Sequence, residues 1–103
     1  MNLEKLKNFE NLKIGDKVTK ITLAKHECFE FLGYDPKLKD TEYAEEYGYF
    51  LDSFGRTEVH RWYRGFLDQS EIYLGYDTEF VRSIRIGLLE KELEELKTRD
   101  YGN

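Results

Sequence analysis

The run YGYFLDSFGRTEVHRWYRGFL, Tyr47 to Leu67, decides the fold. Two segments of it, Tyr47 to Ser53 and Thr57 to Leu67, read as strands of period two, and Phe54-Gly55-Arg56 joins them at hairpin length. Successive side chains of a strand point to opposite faces, so such alternation is a strand signature, and a gap this short can only be an antiparallel turn. In the second segment Val59, Arg61, Tyr63 and Leu67 share one face, and Glu58, His60, Trp62, Arg64 and Phe66 the other. Both faces mix apolar with charged residues. The reading is a central strand with Trp62 and Phe66 in the core, while Arg61 and Tyr63 cover the outside with their apolar stems.

Working outward, Glu71 to Tyr76 is a further strand on the C-terminal side. On the N-terminal side, Gly15-Asp16 marks a turn, and Lys17 to Ala24 follows with Thr19, Ile21 and Leu23 on one face. His26 to Tyr34 is the next strand, with Phe29 and Phe31 facing the core. Asp35-Pro36 ends it, because proline cannot donate to a ladder. Lys37 to Glu46 is the longest polar loop, and the strands form a meander. Leu3, Leu6 and Phe9 have helix-like spacing over too short a span for more than a turn or a frayed helix. Leu88, Leu89, Leu93 and Leu96 within Gly87 to Thr98 describe an amphipathic helix, expected to dock on the sheet through Leu89, Leu93 and Leu96. Phe80 to Ile86 fits a last strand or an earlier start of that helix, and Gly87, a poor helix former, favours strand followed by helix. Leu32-Gly33-Tyr34-Asp35 recurs as Leu74-Gly75-Tyr76-Asp77, and Phe50-Leu51-Asp52 as Phe66-Leu67-Asp68. The order is mirrored rather than tandem, so the repeats read as apolar strand ends followed by a turn acid, used twice.

Leu12-Lys13-Ile14-Gly15-Asp16-Lys17-Val18 resembles the opening of many small SH3-like barrels, including KOW-type domains and short phage proteins. There an apolar pair enters the core, Gly-Asp turns, and Val begins a strand. The resemblance covers seven residues and implies a strand-rich, partly closed sheet; it carries over no functional residue. The expected fold is α+β: an antiparallel, SH3-like sheet of five or six strands with a C-terminal amphipathic helix, in one domain spanning all 103 residues.

With 40% apolar and 36% charged residues and 16% aromatics, the chain has the composition of a globular domain rather than a disordered one. The single Cys28 excludes an internal disulfide framework and points to a reducing cytoplasm. No apolar run approaches the roughly 18 residues of a membrane span, and Met1 to Glu10 is too charged for a signal peptide. A net charge of -5 argues against broad nucleic-acid binding and favours a basic partner. The scarcity of Ala and Pro beside abundant Lys, Glu, Tyr, Phe and Ile suggests AT-rich coding sequence, hence a bacterium or phage.

Around the hairpin the charge reverses. Asp40 to Ser53 carries Asp40, Glu42, Glu45, Glu46 and Asp52 with no base, threaded with Tyr43, Tyr47 and Tyr49; then Arg56, His60, Arg61 and Arg64 arrive with Trp62 and Tyr63. Rigid rings beside placed charges suit a recognition surface. Glu42, Tyr43, Glu45, Glu46, Tyr47 and Tyr49 make an acidic, tyrosine-edged patch able to imitate nucleic acid in a basic groove, or an ordinary solvated loop. Arg61, Tyr63 and Arg64 make a stacking and bidentate platform for a phosphate, carboxylate or unpaired base. Glu90, Glu92, Glu94 and Glu95 read as the solvated face of the last helix.

Catalytic signals are sparse. A thiol nucleophile would need Cys28 beside His26 or His60, whereas free Cys is most often a small buried filler. His26, Cys28 and either Glu30 or His60 are too few and wrongly spaced for structural zinc, and no cofactor is expected. Asp52 and Asp68 both read as turn acids rather than an acid-base pair. The function this supports is a non-catalytic protein-binding module acting on a basic host target. In size and composition it is similar to small acidic phage inhibitors such as anti-CRISPR proteins. A weak nucleic-acid or nucleotide binder and a small enzyme are the alternatives.

Overall fold

Alternate aromatic side chains drive one face of a six-stranded antiparallel sheet into the core. The computed structural model describes residues 2–52 and 58–101; the hairpin tip read as Phe54-Gly55-Arg56 lies outside them. The strands are β1 (Glu4–Lys5), β2 (Lys17–Ile21), β3 (His26–Tyr34), β4 (Tyr47–Asp52), β5 (Val59–Tyr63) and β6 (Glu71–Leu74), in the sheet order β1-β6-β2-β3-β4-β5. Strands β2 to β5 are the expected meander. β6 crosses back to pair with β2, and the two-residue β1 pairs with β6. The sheet is open, with β1 and β5 at its edges, rather than the partly closed sheet that residues 12–18 imply. Within those residues Leu12 and Val18 are buried, but Ile14 is 76% exposed and caps Gly33 from outside instead of entering the core.

On the inner face Val18, Phe29, Phe31, Phe50, Trp62 and Ile72 pack under Leu6, Phe9 and Leu12 of the N-terminal segment. Phe50 stacks on Trp62 at 4.2 Å between ring centroids and meets Phe31 at 5.3 Å, and Phe9 lies over both Phe31 and Phe50. The Tyr34 hydroxyl donates to the Phe9 carbonyl at 2.9 Å, tying this cover to the end of β3. The helix-like spacing of Leu3, Leu6 and Phe9 is thus no helix. It is a short strand and a turn that lay Leu6 and Phe9 across the sheet.

The strand read as Thr57 to Leu67 stops at Tyr63. Trp62 is buried, and Arg61 and Tyr63 lie outside as expected. Arg64 N–H donates to the Glu46 carbonyl at 2.8 Å, and the short helix α1 (Arg64–Asp68) begins there. The adjacent Phe66 and Leu67 both pack against the inner core, which a strand cannot arrange because neighbours alternate faces, whereas a helical turn can. The two Leu-Gly-Tyr-Asp repeats act alike. Gly33 and Gly75 take φ of 118° and 91°, a region glycine enters without steric cost, and each following Asp caps a helix. Asp35 accepts from Lys37 N–H at 2.9 Å for the single 3-10 turn Pro36–Leu38, and Asp77 from Phe80 N–H at 2.8 Å.

Behind Asp77 runs α2 (Thr78–Tyr101), so Phe80 to Ile86 is helix, not strand. Phe80, Val81, Ile84 and Leu88 recur at helical spacing and dock on Ile21, Tyr73 and Leu3 of the outer face. The helix does not dock through Leu89, Leu93 and Leu96. From Leu89 to Thr98 every side chain is exposed, and the helix runs on past the sheet. No helix among the described residues is long and apolar enough to cross a membrane.

Under α2 the Tyr73 hydroxyl donates to the Glu71 carboxylate. Burial first, then this bond and the charge of Glu71, push the phenol well above its ordinary pKa. The folded state therefore prefers neutral Tyr73, and its contribution is complete below the unfolded value of about 10 and is lost as pH rises above that. Urea melts between pH 9 and 12 should show stability falling with pH, and Tyr73→Phe should flatten that slope. An unchanged slope would mean Tyr73 ionises as freely folded as unfolded.

Candidate functional site

Pairing of β4 with β5 sets Tyr47 opposite Tyr63, Tyr49 opposite Arg61 and Leu51 opposite Val59, all on the outer face beyond the reach of α2. The half of that face over β3, β4 and β5 is uncovered. Arg61 lies over the Tyr47 ring at 3.9 Å and reaches the Asp35 carboxylate at 3.6 Å, which also accepts from the Tyr49 hydroxyl at 3.3 Å. Arg64 sits 3.4 Å from the Glu46 carboxylate. The Tyr63 ring folds over Gly65, where a Cβ would stand 2.5 Å from it. Members of the two residue sets named from the sequence therefore touch at two places, Arg61 on Tyr47 and Arg64 on Glu46.

Both arginines meet carboxylates within the domain while staying half exposed. Asp35 and Glu46 partner them from within the domain, and Tyr47 takes the flat side of Arg61. The acidic residues do gather. Glu42, Glu45 and Glu46 line a cleft of about 250 Å³ together with Glu10 and Arg64, floored by Phe9. Burial, then the charges of Glu45 and Glu10, push the nearby Tyr34 phenol up, the sign expected beside a negative cleft. Among the described residues Glu10, Glu42 and Glu45 hold no ion pair. Tyr43 stands exposed on the same loop.

Neither Glu10 nor Asp35 carries a binding-site signal in the sequence. Asp35 was legible only as a turn acid, and nothing local marks Glu10, which the aromatic cover over the inner face carries to the cleft.

The other constellations separate. Cys28 lies opposite Thr19 on the outer face, and His60 lies opposite Phe50 on the inner one, edge-on to Phe29 at 5.3 Å. The sheet stands between them. His26 shares the Cys28 face, but its ring packs on Tyr76 at 5.6 Å. Burial raises the Cys28 thiol pKa, so it stays protonated at neutral pH, the state that does not attack. Among the described residues no group of three His, Cys, Asp or Glu is placed to hold a metal ion. Asp52 is buried at the end of β4 and Asp68 is exposed on α1.

Compared with protein-family models, with curated proteins and with solved structures, the chain matches none.

Proposed function

We propose that this chain is a small non-catalytic protein-binding module that receives a Lys or Arg side chain of a basic partner in the cleft of Glu10, Glu42, Glu45 and Glu46, floored by Phe9, with Tyr43 exposed on the same loop. The observation that carries it is an imbalance: the neighbouring arginines already have acidic partners, while among the described residues Glu10, Glu42 and Glu45 have no basic one. A half-enclosed acidic cleft with low-dielectric walls concentrates field and attracts a cation before contact. Such a surface fits an accessory factor or inhibitor of the kind phages and mobile elements direct against a basic host target in the cytoplasm, as anti-CRISPR proteins do.

Glu42→Gln with Glu45→Gln tests it, leaving Glu46 to hold Arg64. Against a partner captured from the source cell, the on-rate should fall and its salt dependence flatten, with stability changed by no more than about half a kcal/mol. Unchanged kinetics across salt would sink the reading. If Arg61, Tyr63 and Arg64 bind nucleic acid instead, the same variant should bind a single-stranded oligonucleotide more tightly, since less negative charge repels the phosphates.

A further inference from the structure

Where α2 leaves the sheet it carries Ile86, Leu89, Leu93 and Leu96 into solvent, 48%, 53%, 54% and 47% exposed. Their intervals of three, four and three residues are the a/d repeat of a left-handed coiled coil. The docking stripe of Phe80, Val81, Ile84 and Leu88 lies nearly opposite, roughly 150° around the axis at 3.6 residues per turn. Ile86 and Leu89 border a groove shared with His26 and Tyr76, and from Leu93 on the stripe is clear of the sheet, so another helix can approach it there.

The flanking charges specify which helix. With Ile86 and Leu93 at a, and Leu89 and Leu96 at d, the e positions are Glu90 and Lys97 and the g positions Arg85 and Glu92. In a parallel pair each g residue faces the e residue five positions on in the other chain. A second copy then sets its Lys97 against Glu92 and its Glu90 against Arg85, opposite signs at both places. Running the second helix antiparallel, with Ile86 on Leu96, would bring Glu92 against its own copy. Arg85 donates to the Leu23 carbonyl at 3.3 Å, so the Glu92 and Lys97 pair is the freer of the two. Neither of those is in an ion pair among the described residues.

We infer that this chain forms a parallel homodimer through the α2 seam of Ile86, Leu89, Leu93 and Leu96. Two heptads bury a small interface, so the dimer is weak and forms at micromolar to millimolar concentration. Sedimentation equilibrium of the full chain over that range should show the mass rising from monomer towards dimer. Leu93→Glu should abolish the rise while near-ultraviolet circular dichroism stays that of the folded monomer, because Leu93 belongs to neither core cluster. Glu92→Lys and Lys97→Glu should each weaken association several-fold, and the two together should restore it. Leu96→Cys in a Cys28→Ser chain should oxidise readily to a disulfide dimer, since position 96 faces its own copy in the parallel pair and Ile86 in the antiparallel one. A monomer at every concentration, a dimer indifferent to Leu93→Glu, a double charge swap no better than the singles, or a Leu96→Cys chain that stays reduced would each overturn the assignment.

Discussion

Phe9→Ala is expected to cost about 3–5 kcal/mol, the range for emptying a buried phenylalanine site. Phe9 is 1% exposed and is the contact through which residues outside the sheet seal its aromatic face, touching Phe31, Tyr34 and Phe50 at once. Domains of this size have roughly 5–15 kcal/mol in all, and each kcal/mol is worth about 4–8 °C. The melting temperature should therefore fall by more than about 10 °C. The acidic cleft should loosen with it, because Phe9 is its floor and Glu10 the next residue. A fall of only a few degrees would mean that the N-terminal segment sits loosely on the sheet.

The second large effect separates the two faces of α2. Val81→Asp puts a carboxylate where Val81 is 3% exposed between Ile21 and Tyr73, and a buried charge without a partner costs about 3–5 kcal/mol. The helix should undock and amide exchange under it should quicken. Leu93→Ala, one side of the helix away, should stay within about half a kcal/mol in dilute protein, as exposed positions do. Equal losses at the two sites would contradict the docking face described above.

That contrast also marks how far the chain could be read without its structure. The strands were legible wherever one face is buried: His26 to Tyr34 holds its bounds, and the inward Phe29, Phe31, Phe50 and Trp62 all follow period two. The end of β5 was not, because Arg64 to Leu67 keeps an apolar and polar mix while its backbone turns helical for the sake of two adjacent core residues. In α2 the most conspicuous leucines misled. Hydrophobic spacing identifies a stripe but not what covers it, and the stripe that meets the sheet, Phe80, Val81, Ile84 and Leu88, overlaps a segment that also reads as a strand. At the site, loop acids and hairpin arginines were nameable, but their mutual neutralisation through Asp35 and Glu46 depends on pairings between distant residues.

The position of β6 governs the order in which the molecule can assemble. β2 to β5 pair only with sequence neighbours on one side, so that meander needs little loop closure and can form early. One edge of β2 cannot be satisfied until residues 71 to 74 are available, and β1 waits for the same strand, with Glu4 opposite Leu74. During synthesis the growing chain therefore presents an unpaired strand edge carrying Val18 and Ile21 for most of its length, the kind of edge that recruits other chains. Lys17 and Lys20, on opposite faces of β2, flank that edge. They blunt it with charge until β6 arrives, and sequences that lose them should aggregate on expression while the finished fold keeps its stability.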